Sequence, residues 1–213
     1  MDCKEYERYF FRISEWELLL AGLGVKKWYG LDGEESEEKM DKHAYHSVLA
    51  GLYQKNVIDW VENGVRIKVP FSKIFEELKN SRRCITIDRK NDEFPIQCCY
   101  IGTKGVVVTE KSQREINTLC VSYMVKETFT QFILEYLSEY SEGISMISET
   151  GLYVDEQEKF TLKLQDCRSG ERIAKLTLYE NGLQTYLTVE NEKGTVRIPY
   201  RRSRCKDYLN EWL

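Results

Sequence analysis

His43 and His46 are the only histidines in the chain and stand three residues apart. On a helix that spacing puts both imidazoles on one face, as a zinc pair requires. A zinc site needs a third or fourth ligand, however, and no cysteine or acid follows at a recognisable interval. Asp41 is close in sequence but on another side of the same helix. The pair reads as a solvated helix face. With both histidines placed there, a Ser-His-Asp or Cys-His arrangement would have to be built on one of them, and no Gly-x-Ser-x-Gly elbow accompanies them.

Phosphate chemistry fares no better. Neither Gly-x-Gly-x-x-Gly nor Gly-x-x-x-x-Gly-Lys-Ser/Thr occurs, and those glycines are what let a backbone cradle phosphate. Gly102-Thr103-Lys104-Gly105 is better taken as a hairpin turn. The acidic run Asp32-Gly33-Glu34-Glu35-Ser36-Glu37-Glu38 lacks the alternating ligands of an EF-hand loop, and carboxylates in a first helical turn favour the helix dipole. Vicinal Cys98-Cys99 suggests redox chemistry, but in a strand the two face opposite sides, one toward the core and the other away. Carboxylate pairs are the one catalytic route left open, because they are defined in space rather than by spacing. No residue is assigned a catalytic, cofactor-binding or metal-binding role. One basic cluster, Arg201-Arg202 with Arg204 and Lys206, lies at the start of the terminal helix. Alone or with Arg82-Arg83 it is the candidate patch for an anion or a partner, against the plainer reading of a solvated face.

The elements that must position these residues belong to a chain of 213 residues, 42% hydrophobic and 31% charged, with net charge −4. A dedicated nucleic-acid binder shows a basic surplus, because phosphate contacts dominate its affinity. Nucleic acid is therefore not the expected partner. No stretch approaches the roughly 18–20 continuous apolar residues that cross a bilayer, so no membrane insertion is expected. Met1-Asp2-Cys3-Lys4-Glu5 has acids where a signal peptide starts basic. Seven cysteines, an odd number without a Cys-x-x-Cys pair, fit a reducing compartment better than a secreted disulfide framework. The expected location is the cytoplasm.

Ser14-Glu15-Trp16-Glu17 has the form of a capping box before Leu18-Leu19-Leu20-Ala21, with Ser14 as N-cap. Gly22 and Gly24 stop that helix. Asp32 and Gly33 open a second, with Met40, Ala44, Val48 and Leu52 recurring every fourth residue and Tyr45 and Leu49 widening the stripe. Val57–Val61 and Val65–Val69 flank Asn63-Gly64, which predicts a hairpin with a type I′ turn. Phe71, Ile74, Phe75 and Leu78 mark a helix after Pro70. Strands are expected over 84–88, 96–101, 106–110 and 116–125. From Thr128, Phe129, Phe132, Ile133, Tyr136, Leu137 and Tyr140 share one helix face. Strands near 159–165, 171–178, 183–190 and 195–200 then form an antiparallel meander, broken at Ser169-Gly170, Asn181-Gly182 and Lys193-Gly194. Residues 202–213 close the chain as a helix.

The fold class is thus α+β, a mostly antiparallel central sheet flanked by helices, in one packed unit over 1–213 with sub-halves at 1–125 and 126–213. Two stretches echo each other: Val65-Arg66-Ile67 before Pro70-Phe71, and Val196-Arg197-Ile198 before Pro199-Tyr200. Either any strand-to-helix junction favours proline and an aromatic, or an α/β unit is duplicated about a pseudo-twofold axis.

Residues 14–69, two helices and a hairpin, have the order of a winged helix, a DNA-binding regulator whose helix enters the major groove. Glu34, Glu35, Glu37, Glu38 and Asp41 near that helix's start would oppose phosphate. A resemblance over more of the chain runs from Ser14 to Gly22, through Ser47-Val48-Leu49-Ala50-Gly51-Leu52 and Val57-Ile58-Asp59. It continues in Asp166-Cys167-Arg168-Ser169-Gly170, the Asn-Gly hairpin and Ile198-Pro199-Tyr200. In this order of elements the chain resembles the EspG-like proteins, cytosolic specificity chaperones of type VII secretion. The resemblance implies two related α/β halves around an antiparallel sheet, and a protein partner. The expectation is a non-enzymatic adaptor or chaperone-like protein, without cofactor, that binds a helical partner such as a secretion substrate on its sheet or along an edge.

Overall fold

The structure, a computed structural model, describes residues 7–25, 41–90, 95–143, 156–181 and 184–213. The expected helix start at Asp32-Gly33, the acidic run, Met40 and Gly182 lie outside the described residues.

The first element, β1 (Arg8–Arg12), passes without a loop into α1 (Ile13–Gly22). Ser14 is therefore already inside the helix and is not its cap. Arg12 is the extended residue before the helix, and the Glu15 carboxylate accepts its backbone N–H at 2.8 Å. The reach-back of a glutamate to the chain ahead of a helix is present, two residues earlier than the Ser14/Glu17 reading. Glu15 is 2% exposed and also accepts from Lys55 Nζ at 2.6 Å. Lys55 follows α2 (Lys42–Gln54), a helix that begins at Asp41, whose Oδ1 accepts the Ala44 N–H at 2.7 Å. On α2, Leu49 and Leu52 are buried while Ala44 and Tyr45 are exposed, so the apolar stripe is narrower than its spacing predicts.

Gly51 faces the buried carboxylate: a Cβ there would lie 2.9 Å from Glu15 Oε1. The two positions should therefore be coupled. Glu15→Ala is expected to cost about 2 kcal/mol, the worth of a buried charge-assisted hydrogen bond. The cost stops there because the Lys55 side chain, 40% exposed, still reaches water. Gly51→Ala should give little alone, but add about 1 kcal/mol of helix propensity once Glu15 is alanine. Denaturant unfolding of the two single variants and the double variant reads this, and strict additivity would sink it.

After Asn56 the chain forms a separate two-stranded sheet, β2 (Ile58–Val61) and β3 (Gly64–Ile67). Val61 pairs with Gly64, so the loop is Glu62-Asn63, and positive φ is confined to Gly64 at 140°. A type I′ turn over that loop would need positive φ at both Glu62 and Asn63, and neither has it, so the hairpin stands but that turn type does not. Next comes α3 (Phe71–Asn80), which buries Phe71, Ile74, Phe75 and Leu78.

Four strands and a helix follow: β4 (Arg83–Arg89), β5 (Gln97–Ile101), β6 (Gly105–Lys111), β7 (Thr118–Val125) and α4 (Lys126–Tyr136). The pattern then repeats: β8 (Gln157–Asp166), β9 (Arg172–Glu180), β10 (Thr185–Asn191), β11 (Gly194–Pro199) and α5 (Arg202–Trp212). All nine strands of the large sheet are antiparallel, in the order β1-β7-β6-β5-β4-β8-β9-β10-β11. The first strands of the two meanders, β4 and β8, pair at the centre, and their successors run outward on either side. That is pseudo-twofold order. The Val-Arg-Ile echo does not follow it, since β3 belongs to the small sheet while β11 edges the large one. In the topology, the counterpart of β11–α5 is β7–α4.

Helices cover the sheet on both sides. One core joins Phe11, Trp16, Leu52, Ile58, Phe75, Cys98 and Leu119 beneath α1–α3. The other joins Ile85, Cys99, Phe129, Ile133, Phe160, Leu176 and Leu209 beneath α4 and α5. Cys98 and Cys99 do face opposite sides, but both are 0% exposed. The expectation that one of them leaves the core is overturned by this three-layer arrangement.

Candidate functional site

Arg201, Arg202, Arg204 and Lys206 are all exposed at the start of α5, while Cys205 and Leu209 hold the helix on the core. Glu142 tempers the patch: it accepts the Arg202 N–H at 3.1 Å and lies 3.9 Å from Arg201 Nη1. Arg82-Arg83 does not join it. Arg83 pairs with Asp166, whereas Pro199, just before the patch, lies in the row of Tyr186, Tyr179 and Glu158, near Arg89 at the far end of β4. Strand register thus places the two basic pairs at opposite ends of the sheet.

His43 and His46 are exposed on α2, and among the described residues no three of His, Cys, Asp and Glu cluster as a metal site. The thiols of Cys84, Cys99, Cys120, Cys167 and Cys205 are all shifted away from thiolate. The Cys98 contact, then burial, pushes Cys84 well up, and burial raises Cys120 to about 11 and Cys205 to about 12. A nucleophilic cysteine needs the opposite shift. In the Gly102–Gly105 turn the Lys104 N–H donates to the Glu77 carboxylate at 3.0 Å, so the chain's own anion sits where a phosphate would. A cavity lined by Arg8, Gln97, Glu110 and Cys120 measures about 20 Å³, room for one water and not for a metabolite.

On the sheet surface of β8–β11 away from α4 and α5, charged side chains pair with one another, while among the described residues the buried Thr177 and Thr188 hydroxyls find no hydrogen-bond partner. Arg197 meets Glu156 through two hydrogen bonds of 3.1 Å and lies 4.3 Å over the Tyr186 ring, which stacks on Tyr179 at 5.5 Å. Glu190 is held by Arg172 at 3.4 Å and by Lys175 at 3.7 Å. Docking there would have to break these pairs.

The β2–β3 hairpin is different. Ile58 and Ile67 lie opposite each other at its base and pack into the core under α1–α3, with Ile58 1% exposed. One step outward on the same face, the pair Trp60 and Val65 is 54% and 42% exposed. Val61, on the other face, is 42% exposed, and Val69 beyond β3 is 69% exposed. The apolar surface that anchors the ribbon therefore continues past the core and ends uncovered. Asp59 ties down the ribbon's cations, 3.5 Å from Arg66 and 3.4 Å from Lys68. A wing that grips DNA needs such cations free for phosphate. Contiguous exposed apolar surface of this kind marks protein docking, and tryptophan is a frequent anchor there. Reading the two strands as an ordinary hairpin missed these side chains. The usable signal was that a helix, not a third strand, follows the ribbon, so among the described residues no further strand pairs beside Trp60.

No protein-family model matches the chain, and none of the curated proteins matches its sequence. In fold it is similar to EspG5, the type VII secretion system chaperone of Mycobacterium tuberculosis, solved in complex with the PE25-PPE41 dimer. The TM-score is 0.59 at 7% identity, over 96% of this chain and 95% of that one. The EspG-like resemblance in element order thus holds at the level of the fold. No helix among the described residues is long and apolar enough to cross a membrane.

Proposed function

We propose that this protein is a non-enzymatic, cytoplasmic adaptor or chaperone-like protein, and that the tip of the β2–β3 hairpin docks the apolar surface of a helical protein partner. The observation that carries this reading is the uncovered Trp60–Val65 pair on a ribbon rooted in the core. Its fold likeness to a secretion chaperone supports a partner belonging to a type VII-like secretion pathway. The whole chain acts as one unit, with the sub-halves 1–125 and 126–213 supporting a common sheet. The basic patch Arg201, Arg202, Arg204 and Lys206 serves as a secondary, charge-based contact.

Capture from native lysate with the wild-type chain and with Trp60→Asp, identified by mass spectrometry, tests the assignment. Loss of an interface aromatic costs about 2 kcal/mol or more, so partner recovery should fall by at least about tenfold with folding intact. Equal recovery with the variant would remove the hairpin from the function. Sequence-dependent retention of DNA in a low-salt gel shift would replace the reading with a winged-helix regulator.

A further inference from the structure

We infer that Asn63 is a site of spontaneous covalent modification, where the backbone nitrogen of Gly64 attacks the Asn63 side-chain amide. The new bond joins Gly64 N to Asn63 Cγ, the Cγ–Nδ2 bond breaks, and ammonia leaves with the proton from Gly64. Water then opens the succinimide ring at either carbonyl. One opening gives aspartate, and the other gives isoaspartate, whose peptide link runs through the former side chain. No oxidant or enzyme is required.

Three features of the hairpin favour this position. Gly64 presents a nitrogen with no Cβ beside it, and its φ of 140° is a conformation that side-chain-bearing residues rarely adopt, so the turn itself calls for glycine after Asn63. Asn63 is exposed and, among the described residues, its side chain makes no hydrogen bond that would hold it away from its neighbour. The ribbon is two strands of four residues, separate from the large sheet, and such a ribbon opens locally at little cost. The other described asparagine that precedes a glycine, Asn181, is restrained. Its Oδ1 accepts the Gln184 N–H at 2.9 Å, in the connection between β9 and β10 of the nine-stranded sheet. Asparagine-glycine pairs that are alike in sequence are thus ranked by structure.

The product places a carboxylate in the loop at the tip, one residue pair beyond Trp60 and Val65. Its effect on docking rests on the function proposed above; the chemistry does not, and the two can fail separately. The test is timed incubation of the full folded chain in mildly alkaline buffer at physiological temperature, followed by peptide mapping. A parallel incubation in denaturant is the control. The peptide holding Asn63 should gain one mass unit and split into aspartyl and isoaspartyl forms, well ahead of the Asn181 peptide. In denaturant that ranking should disappear, and Asn63→Gln should abolish the early gain. Asn181 keeping pace with Asn63 in the folded chain would overturn the inference. So would an unchanged Asn63 in the folded chain over a period in which the denatured chain converts.

Discussion

Replacing Trp16 with alanine is expected to destabilise the protein by about 3–5 kcal/mol, the range for truncating a buried aromatic. Trp16 is 0% exposed and is the side chain by which α1 is fixed to the sheet. Its ring lies 5.4 Å from Phe11 of β1 and 5.0 Å from Phe75 of α3, while Phe11 also meets Phe71 at 5.8 Å. Three elements thus converge on one indole, and alanine leaves a void that none of them can fill without moving the other two. Against a typical total of about 5–15 kcal/mol, this loss brings the chain near its unfolding threshold. Trp60→Ala is the matched control. The residue type is the same, but with 54% of it exposed the cost should stay at or below about 1 kcal/mol. Denaturant titration followed by circular dichroism compares them, and similar midpoints for the two variants would refute the assigned burial.

Gly143→Ala should have the second large effect, about 2–4 kcal/mol from forced overpacking and a lost hydrogen bond. A Cβ at Gly143 would lie 2.2 Å from the backbone oxygen of Thr185. The obstacle is main chain, so no rotamer relieves it. The Gly143 N–H donates to Tyr200 O at 2.9 Å, and Tyr200 N to Thr185 O at 3.0 Å. The Tyr200 hydroxyl, in turn, donates to Leu137 O at 2.7 Å. Alanine would pry apart the junction that ties the end of α4 to β10 and to the start of α5. Gly22→Ala provides the opposite sign. Gly22 ends α1 with nothing within 4 Å of its missing Cβ, so alanine should stabilise by up to about 1 kcal/mol. Thermal unfolding of both variants decides the matter, and a Gly143→Ala protein as stable as Gly22→Ala would refute the close approach.

The α+β class and the antiparallel meanders were legible because they are written locally, in alternating residues and glycine-marked turns. The face of α4 was legible for the same reason: Phe129, Phe132 and Ile133, with Leu137 just past the helix end, all reach the core. What the sequence hid depends on distant partners. Five residues with an arginine at each end, Arg8–Arg12, do not announce a strand, and missing β1 is what made Ser14 look like a cap. Ile116 belongs to no strand: it is 93% exposed, and the chain turns at Asn117, with φ 56°, before β7. Burial of both Cys98 and Cys99 did leave a trace. Cys98 to Ile101 and Val106 to Val108 are unbroken apolar runs, the pattern of strands covered on two faces. The candidate site was the least legible. Exposure of Trp60 depends on what fails to pack against it, and the separation of Arg83 from Arg201 on strand register.

The central β4–β8 pair also bears on how the chain reaches this state. Within each meander, neighbouring strands are joined by short connections, so pairing there is local in sequence. The seam between the meanders is not: Arg83 lies opposite Asp166, and Arg89 opposite Phe160. Closing it requires everything between the two strands to be gathered into one loop. The entropic cost of that closure grows only logarithmically with loop length, but it must be met before any seam contact forms. Such non-local pairing is what slows folding. The strand pair at the middle of the finished sheet is thus, with β1–β7, where Arg8 lies opposite Ser122, one of the two pairings most remote in sequence, and its geometry ties the speed of assembly to the meeting of the two meanders.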